Sequence, residues 1–261
     1  MLSNPLLLIA GVVLVAIVGY LLKALSFSGA IATVIVGCLI SLGFKGEGLL
    51  LIGAFFVSSS LWSKLKKKQN TIGIIQKGSR RDYAQVFANG AIAASLSLLY
   101  YIYPEEWILV SFITSIAVAN ADTWASEIGP LSRTKPIHIL NLKKVDAGTS
   151  GAISNLGNIA CLTGAFFIAV IGYILFEFHL ITLWWIGIFG IVGCYLDTIL
   201  GATVQAQYIC NKCGTLTEKT KHCKEWTTLT SGIRIMNNDM VNIIAIFLST
   251  FLSALWWIVL F

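Results

Sequence analysis

The segment Asn120-Ala-Asp122-Thr-Trp-Ala-Ser-Glu127-Ile-Gly129 sets two carboxylates and an amide at the end of a long apolar run. An ionisable residue at membrane depth is costly and usually faces a wet cavity or a partner. On a helix, residues 120, 123, 124 and 127 share one face, and Asp122 and Ser126 an adjoining one. Asp122 and Glu127 are expected to converge on one cation where the helix frays near its end. Hard oxygen donors suit Mg²⁺, which takes one or two carboxylates and completes its shell with water and phosphate. The competing reading is a helix end whose acids meet loop lysines.

A second segment, Lys143-Lys144-Val-Asp146-Ala-Gly148-Thr149-Ser150-Gly151, combines glycines, hydroxyls and lysines just before another apolar run. Backbone N–H groups at a helix start point at an anion and the dipole favours it, so this reads as a phosphate cradle. It is not a Walker loop, because the Gly-x-x-x-x-Gly-Lys spacing is absent. Alternatively it is a capped helix entry with Thr149 or Ser150 as N-cap.

Polar stripes recur at helix starts and ends: Asp82, Gln85 and Asn89; Asp197, Thr198, Gln205 and Gln207; Asn237, Asn238, Asp239 and Asn242. Any one of them serves equally well as an interhelical hydrogen bond. Together, on one side, they favour a shared polar cavity. Finally, Cys210-x-x-Cys213 with His222-Cys223 offers three thiols and an imidazole, a tetrahedral Zn²⁺ set of the structural kind. The alternative is reduced, unligated thiols, since two adjacent ligands strain the chain. Cys38, Cys161 and Cys194 read as small buried hydrophobes, and His138 and His179 as solvated side chains.

What must position these groups follows from composition. The chain has 261 residues, 57% hydrophobic and 11% charged, against about 25% charged in a soluble domain. Such a chain cannot clothe a water-soluble globule, and a lipid solvent removes the need. The expected fold is all-α: a polytopic helical membrane protein of about eight transmembrane helices, over 5–22, 28–44, 47–62, 86–103, 106–123, 152–176, 180–203 and 239–260. Met1 to Pro5 lacks a basic leader, so the first apolar run is expected to be retained.

Placing both termini outside puts Lys23 and the basic loops 63–85, 124–151 and 204–238 inside, leaving only Lys45 outside. The run Lys64 to Lys68 then reads as a membrane-surface anchor. With no interleaved aromatics it is not a nucleic-acid patch. Residues 1–62 are expected to form a three-helix scaffold or dimerisation element, and 63–261 a five-helix catalytic region with a Cys/His loop at 204–238. A faint repeat pairs Asp122-Thr123 with Asp197-Thr198, and Arg81-Asp82 with Asn238-Asp239. Repeats in membrane proteins often place a site at their interface.

Arg81-Asp82-x-x-Gln85-Val86-x-Ala88-Asn89-Gly90, the Asn120–Gly129 segment, Gly148-Thr149-Ser150-Gly151 and Asp197-Thr198-x-x-Gly201-Ala202-Thr203-x-Gln205 resemble the integral membrane family that includes plant phytyl-phosphate kinase. Ala121-Asp122-x-x-Ala125-x-x-x-Gly129 is also similar to a segment of the CTP-using membrane enzymes dolichol kinase, phytol kinase and CDP-diacylglycerol synthase. Their Lys-x-x-Glu-Gly segment is matched loosely, with Asp146 for Glu and one residue inserted before Gly148.

The resemblance implies phosphoryl transfer from CTP or ATP to an isoprenoid monophosphate. Asp122 and Glu127, helped by Asn120, would hold Mg²⁺. Lys144, Arg81 and Gly148, Thr149, Ser150 and Gly151 would hold nucleotide phosphates. Asp82, Asn89 and Asp197 would complete the metal shell or place the acceptor, and Asp146 would join Asp122, Glu127 and Asp197 as a catalytic acid. The partners would be the lipid phosphate, the nucleotide, membrane lipids and a second copy of the chain, at the cytosolic face of the cell membrane. Formation of a CDP-lipid, or transport, are the alternatives.

Overall fold

The computed structural model describes residues 4–67 and 80–260. Of the basic anchor, Lys68 and the side chains of Lys66 and Lys67 lie outside the described residues, as does Lys77. Among the described residues there are seven α-helices: α1 (Pro5–Leu21), α2 (Phe27–Lys67), α3 (Tyr83–Ile102), α4 (Glu106–Ile128), α5 (Asn155–Phe176), α6 (Leu180–Thr203) and α7 (Asn238–Leu260). Among the described residues six are long and apolar enough to cross a membrane, and α1 is a shorter apolar helix.

The long helix α2 is broken at Lys45, whose φ of 47° and ψ of −137° leave helical space. Its two arms run in opposite directions. Gly29, Val36 and Gly43 lie against Arg81, Gly90 and Ser97, so the first arm runs parallel to α3. In the second arm Ser58 bonds Asn120, Trp62 meets Trp124 and Ser63 bonds Glu127, so it runs parallel to α4. Gly29 and Gly43 permit this packing because a Cβ at either would strike backbone oxygen of Arg81 or Ser97. The N-terminal helices therefore pack continuously onto the rest of the protein.

Helix α4 is the axis. Every residue from Val110 to Ala121 is buried, the mark of a helix surrounded by protein. Small residues let its neighbours approach: Gly164 of α5 would place a Cβ 3.2 Å from the Cα of Ala121, and Gly190 of α6 one 3.2 Å from the Cβ of Ala117. At the end away from the polar loops, Phe44 stacks on Phe112 and Tyr100 at centroid distances of 4.0 and 4.4 Å.

The polar loops carry short strands absent from the all-α expectation. β1 (Ile137–His138) pairs antiparallel with β2 (Ala152–Ile153), enclosing the glycine segment. After α6, β3 (Gln207–Cys210), β4 (Leu216–Thr217), β5 (Lys221–His222) and β6 (Glu225–Ser231) form a sheet of order β4-β3-β6-β5. Backbone pairing in these loops satisfies polar groups that no helix holds.

Candidate functional site

A cavity of about 800 Å³ opens where α3, α4, α5, α6 and α7 end beside the polar loops. Its floor holds Asp122 of α4 and Asp197 of α6, and the charges of Asp122 and Glu218 act on Asp197. Asn242 of α7 turns its side-chain nitrogen to Oδ2 of Asp197 at 2.8 Å, and to the carbonyl of Asn238 at 2.9 Å. Cys161 and Cys194 border the same floor. The two Asp-Thr motifs share a local device: Thr123 and Thr198 both line the cavity and donate to the carbonyls of Ala119 and Cys194, one turn back. Here the faint repeat has a structural counterpart. The other pair does not, because Asp82 caps α3 while Asn237 accepts from the amide of Met240 at the start of α7.

Helix α4 stays intact to Ile128. Five residues along an unfrayed helix are about 140° apart around the axis, so Asp122 and Glu127 diverge. Glu127 accepts from Ser63 at 2.8 Å on the α2 side. Arg81, across the same rim, is held by its own backbone, which pairs with Ala24 and Ser26 at 2.9 and 2.8 Å. Its guanidinium stands 5.4 Å from the ring centre of Phe56 and 5.8 Å from that of Phe55. Burial lowers its pKa to about 10, against the pull of Glu127, so it remains a cation at neutral pH. Arg80 lines the cavity too, its Nε donating to the carbonyl of Leu25.

The opposite wall is the glycine segment. Gly148 and Gly151 take φ of 90° and 77°, which side chains rarely adopt. A Cβ on Gly151 would collide with Ala202 of α6 and lie 3.2 Å from Nε2 of His138, so His138 packs at this wall. Ser150 donates to Glu218 at 3.0 Å, and Nε2 of Gln205 donates to the same oxygen at 2.7 Å. The N-cap of α5 is Ser154, which accepts from Gly157 at 3.1 Å and donates to the carbonyl of Gly129 at 3.1 Å. The glycine turn is thus separate from the cap, and both border the cavity.

Of the residues singled out in the sequence, Asp122, Glu127, Asp197, Arg81, Asn89, Gly148, Thr149, Ser150 and Gly151 line this one cavity. Four others stand elsewhere. Asn120 is fully buried, donating to the carbonyl of Gly164 at 2.7 Å and accepting from Ser58 at 3.2 Å, so its amide ties α4 to α5 and α2. Asp82 forms a capping box with Gln85. Asp146 is exposed and bonds Lys135 at 3.3 Å, and Lys144 is exposed on the outer side of β1.

Sequence reasoning missed Glu218, Ser63, Arg80 and Asn158, all on the cavity wall. Glu218 is a lone acid between Cys210-x-x-Cys213 and His222-Cys223, and nothing in its spacing ties it to Ser150. Asn89 donates to the carbonyl of Gln85, while its buried Oδ1 has no hydrogen-bond partner among the described residues.

Beyond the cavity, the ligand atoms of Cys210, Cys213, His222 and Cys223 lie within 4.8 Å of one another. Cys223 and Lys224 adopt φ of 50° and 66°, and this left-handed turn lets adjacent His222 and Cys223 face one point. Hydrogen bonds with Thr215 lower the Cys213 thiol to about 6, whereas the neighbouring Cys213 sulfur raises Cys223 to about 11.

Residues 10–250 match the family model described as integral membrane protein DUF92. The chain is 33% identical to an uncharacterized membrane protein of Methanocaldococcus jannaschii over 72% of its own length and 78% of that protein. It is 28% identical to Protein PGR of Arabidopsis thaliana, over 93% and 92% of the two chains. Similarity to Protein VTE6, chloroplastic, of the same plant is 26% over 90% of this chain and 66% of that protein. No solved structure matches.

Proposed function

The chain belongs to the DUF92 family of integral membrane proteins, and from that premise we propose that it is a membrane kinase that adds a phosphoryl group from CTP or ATP to an isoprenoid monophosphate. The observation that carries this reading is the cavity, where Asp122, Asp197, Arg81 and the Gly148–Gly151 turn meet at one end of the helix bundle. Likeness to VTE6 and the motif resemblance to the phytyl-phosphate kinase family support the substrate class.

Charge supports a metal. Among the described residues the lining has more acids (Asp122, Glu127, Asp197, Glu218) than bases (Arg80, Arg81). A polyphosphate would be repelled by such a wall unless it arrived with cations. The oxygens of Asp122 and Asp197, with Oδ1 of Asn89, which lines the same cavity and has no hydrogen-bond partner among the described residues, are the hard donors that Mg²⁺ takes. Bound there, Mg²⁺ would supply the positive charge that offsets the charge developing in phosphoryl transfer.

This chain's own groups would do the rest. Asn242 steadies Asp197 through its 2.8 Å bond. Arg81 meets the transferring phosphate as a fixed cation, and the glycine turn allows backbone amides close to the nucleotide. The isoprenoid tail stays in lipid while its phosphate enters the cavity. The cavity end faces the cytosol of the cell membrane and the termini face outside.

The test is incubation of the purified protein with phytyl or geranylgeranyl monophosphate, Mg²⁺, and CTP or ATP, followed by product identification. The expected product is the prenyl diphosphate with a nucleoside diphosphate. Release of pyrophosphate would instead mark a nucleotidyltransferase, and absence of diphosphate from every pairing would overturn the reading.

A further inference from the structure

The sheet that follows α6 has little means of holding itself together. β4 and β5 are two residues long, and six of the seven residues of β6 are exposed. Within the sheet only Tyr208, Cys210 and Thr217 are buried, while Trp226 is 67% exposed. A layer this thin buries too little apolar surface to offset the entropy of ordering it. Small domains in this position rely on a disulfide or a metal, and all the cysteines here are free.

The two hairpin turns supply a ligand set. Cys210 and Cys213 flank the β3–β4 turn, tightened by Gly214 with φ of 69°. His222 ends β5 and Cys223 opens the β5–β6 turn. Tetrahedral Zn²⁺ with bonds near 2.3 Å to sulfur and 2.0–2.1 Å to nitrogen puts ligand nitrogen and sulfur about 3.5 Å apart. Nδ1 of His222 lies 3.4 Å from the sulfurs of both Cys213 and Cys223. The left-handed Cys223, strained for a side-chain-bearing residue, is held where its sulfur reaches that point.

Between the hairpins runs the connecting segment that presents Glu218. Thr217 is buried beneath it, and the backbone of Lys219 and Thr220 bonds Thr227 of β6 at 2.8 and 3.0 Å. Glu218 then reaches Ser150 of the glycine turn and Gln205 at the end of α6. Thr149 and Ser150 share a small recess with Gln207 and Leu216 to Glu218, so the sheet docks on the turn itself.

We propose that Cys210, Cys213, His222 and Cys223 bind one structural Zn²⁺, and that this ion fixes Glu218 as the positioning residue of the glycine turn. The zinc site stands independently. The role of Glu218 in catalysis rests on the kinase reading.

The experiment uses the full-length protein in detergent. Elemental analysis is expected to find about one zinc per chain, as a closed four-ligand site requires. Cobalt substitution should give the intense visible bands of a tetrahedral thiolate site. Cys213→Ser should lose the metal, Cys213→His should retain it, and Glu218→Gln should keep full zinc content. Removing zinc with a chelator, with Mg²⁺ held in excess, should open 207–236 to protease while the helices stay protected, and re-added zinc should close it.

In the kinase assay, Glu218→Gln and zinc removal should each raise the nucleotide KM roughly tenfold, the scale of an outer-shell change, with kcat altered less. Zinc-free protein that gains no protection on adding zinc would overturn the metal site. So would a Cys213–Cys223 disulfide in the active protein. Zinc loss that leaves both the protease pattern and KM unchanged would overturn the link to Glu218. An inactive protein with zinc-dependent protection would fail the kinase reading alone.

Discussion

Asn242 and Asp197 meet at 2.8 Å between α7 and α6, and this bond orients the Asp197 carboxylate. The acid that faces Asp122 is therefore aimed from a helix far away in sequence. Outer-shell partners of this kind typically contribute 10–100-fold. Asn242→Ala should lower kcat about 10-fold, whereas Asp122→Asn or Asp197→Asn should lower it about 100-fold or more. Magnesium titration of each variant checks the order. Equal activity in Asp122→Asn would remove the metal assignment.

Asp122 and Asp197 line the same cavity, and the charge of Asp122 acts on Asp197. Neutralising one of two neighbouring acids relieves a like-charge contact. Asp122→Asn should melt at or above the wild-type temperature in magnesium-free detergent while being inactive. A large loss of stability would mean that the carboxylate is a structural tie.

Asn120 should behave in the opposite way. Its amide spans Gly164 and Ser58, and such interhelical bonds are worth about 0.6–2 kcal/mol. Asn120→Ala is expected to lose stability on that scale and to keep near wild-type kcat per folded molecule. A selective rise in the magnesium requirement, with stability unchanged, would return Asn120 to the metal shell.

Gly151 and Asp146 separate the working part of the second motif from its flank. Gly151→Ala forces a Cβ into Ala202 at a positive φ, costing about 1 kcal/mol or more and displacing the turn, so nucleotide KM should rise severalfold. Asp146→Asn removes only an exposed pair with Lys135, worth about 0–1 kcal/mol, and should change KM less than twofold.

Arg81 gives a pH prediction with a sign. Burial lowers its pKa to about 10, and Glu127 opposes that fall. The cation is present below that pKa and lost above it, so this group leaves activity flat from pH 7 to 9. Glu127→Gln removes the opposing charge and lowers the pKa further. The alkaline limb of the pH–rate profile should therefore move to lower pH in Glu127→Gln, and an unmoved limb would separate Arg81 from catalysis.

What the sequence determined by itself was the solvent and the cast of polar groups. Sparse charge and long apolar runs allow only membrane helices, and helix boundaries near Gly, Pro and the Asp82 cap are local chemistry. Motifs compact enough to be read locally, such as Asp122-Thr123, Asp197-Thr198 and Gly148 to Gly151, do reach the cavity.

Tertiary structure alone decided which face each polar group took. An unfrayed α4 sent Glu127 away from Asp122, and close packing at Gly164 drew Asn120 into a structural bond. The connection between β4 and β5 brought Glu218 to Ser150 across 68 residues. These outcomes depend on contacts between distant segments, whose geometry is set by packing around α4 and leaves no local period in the chain.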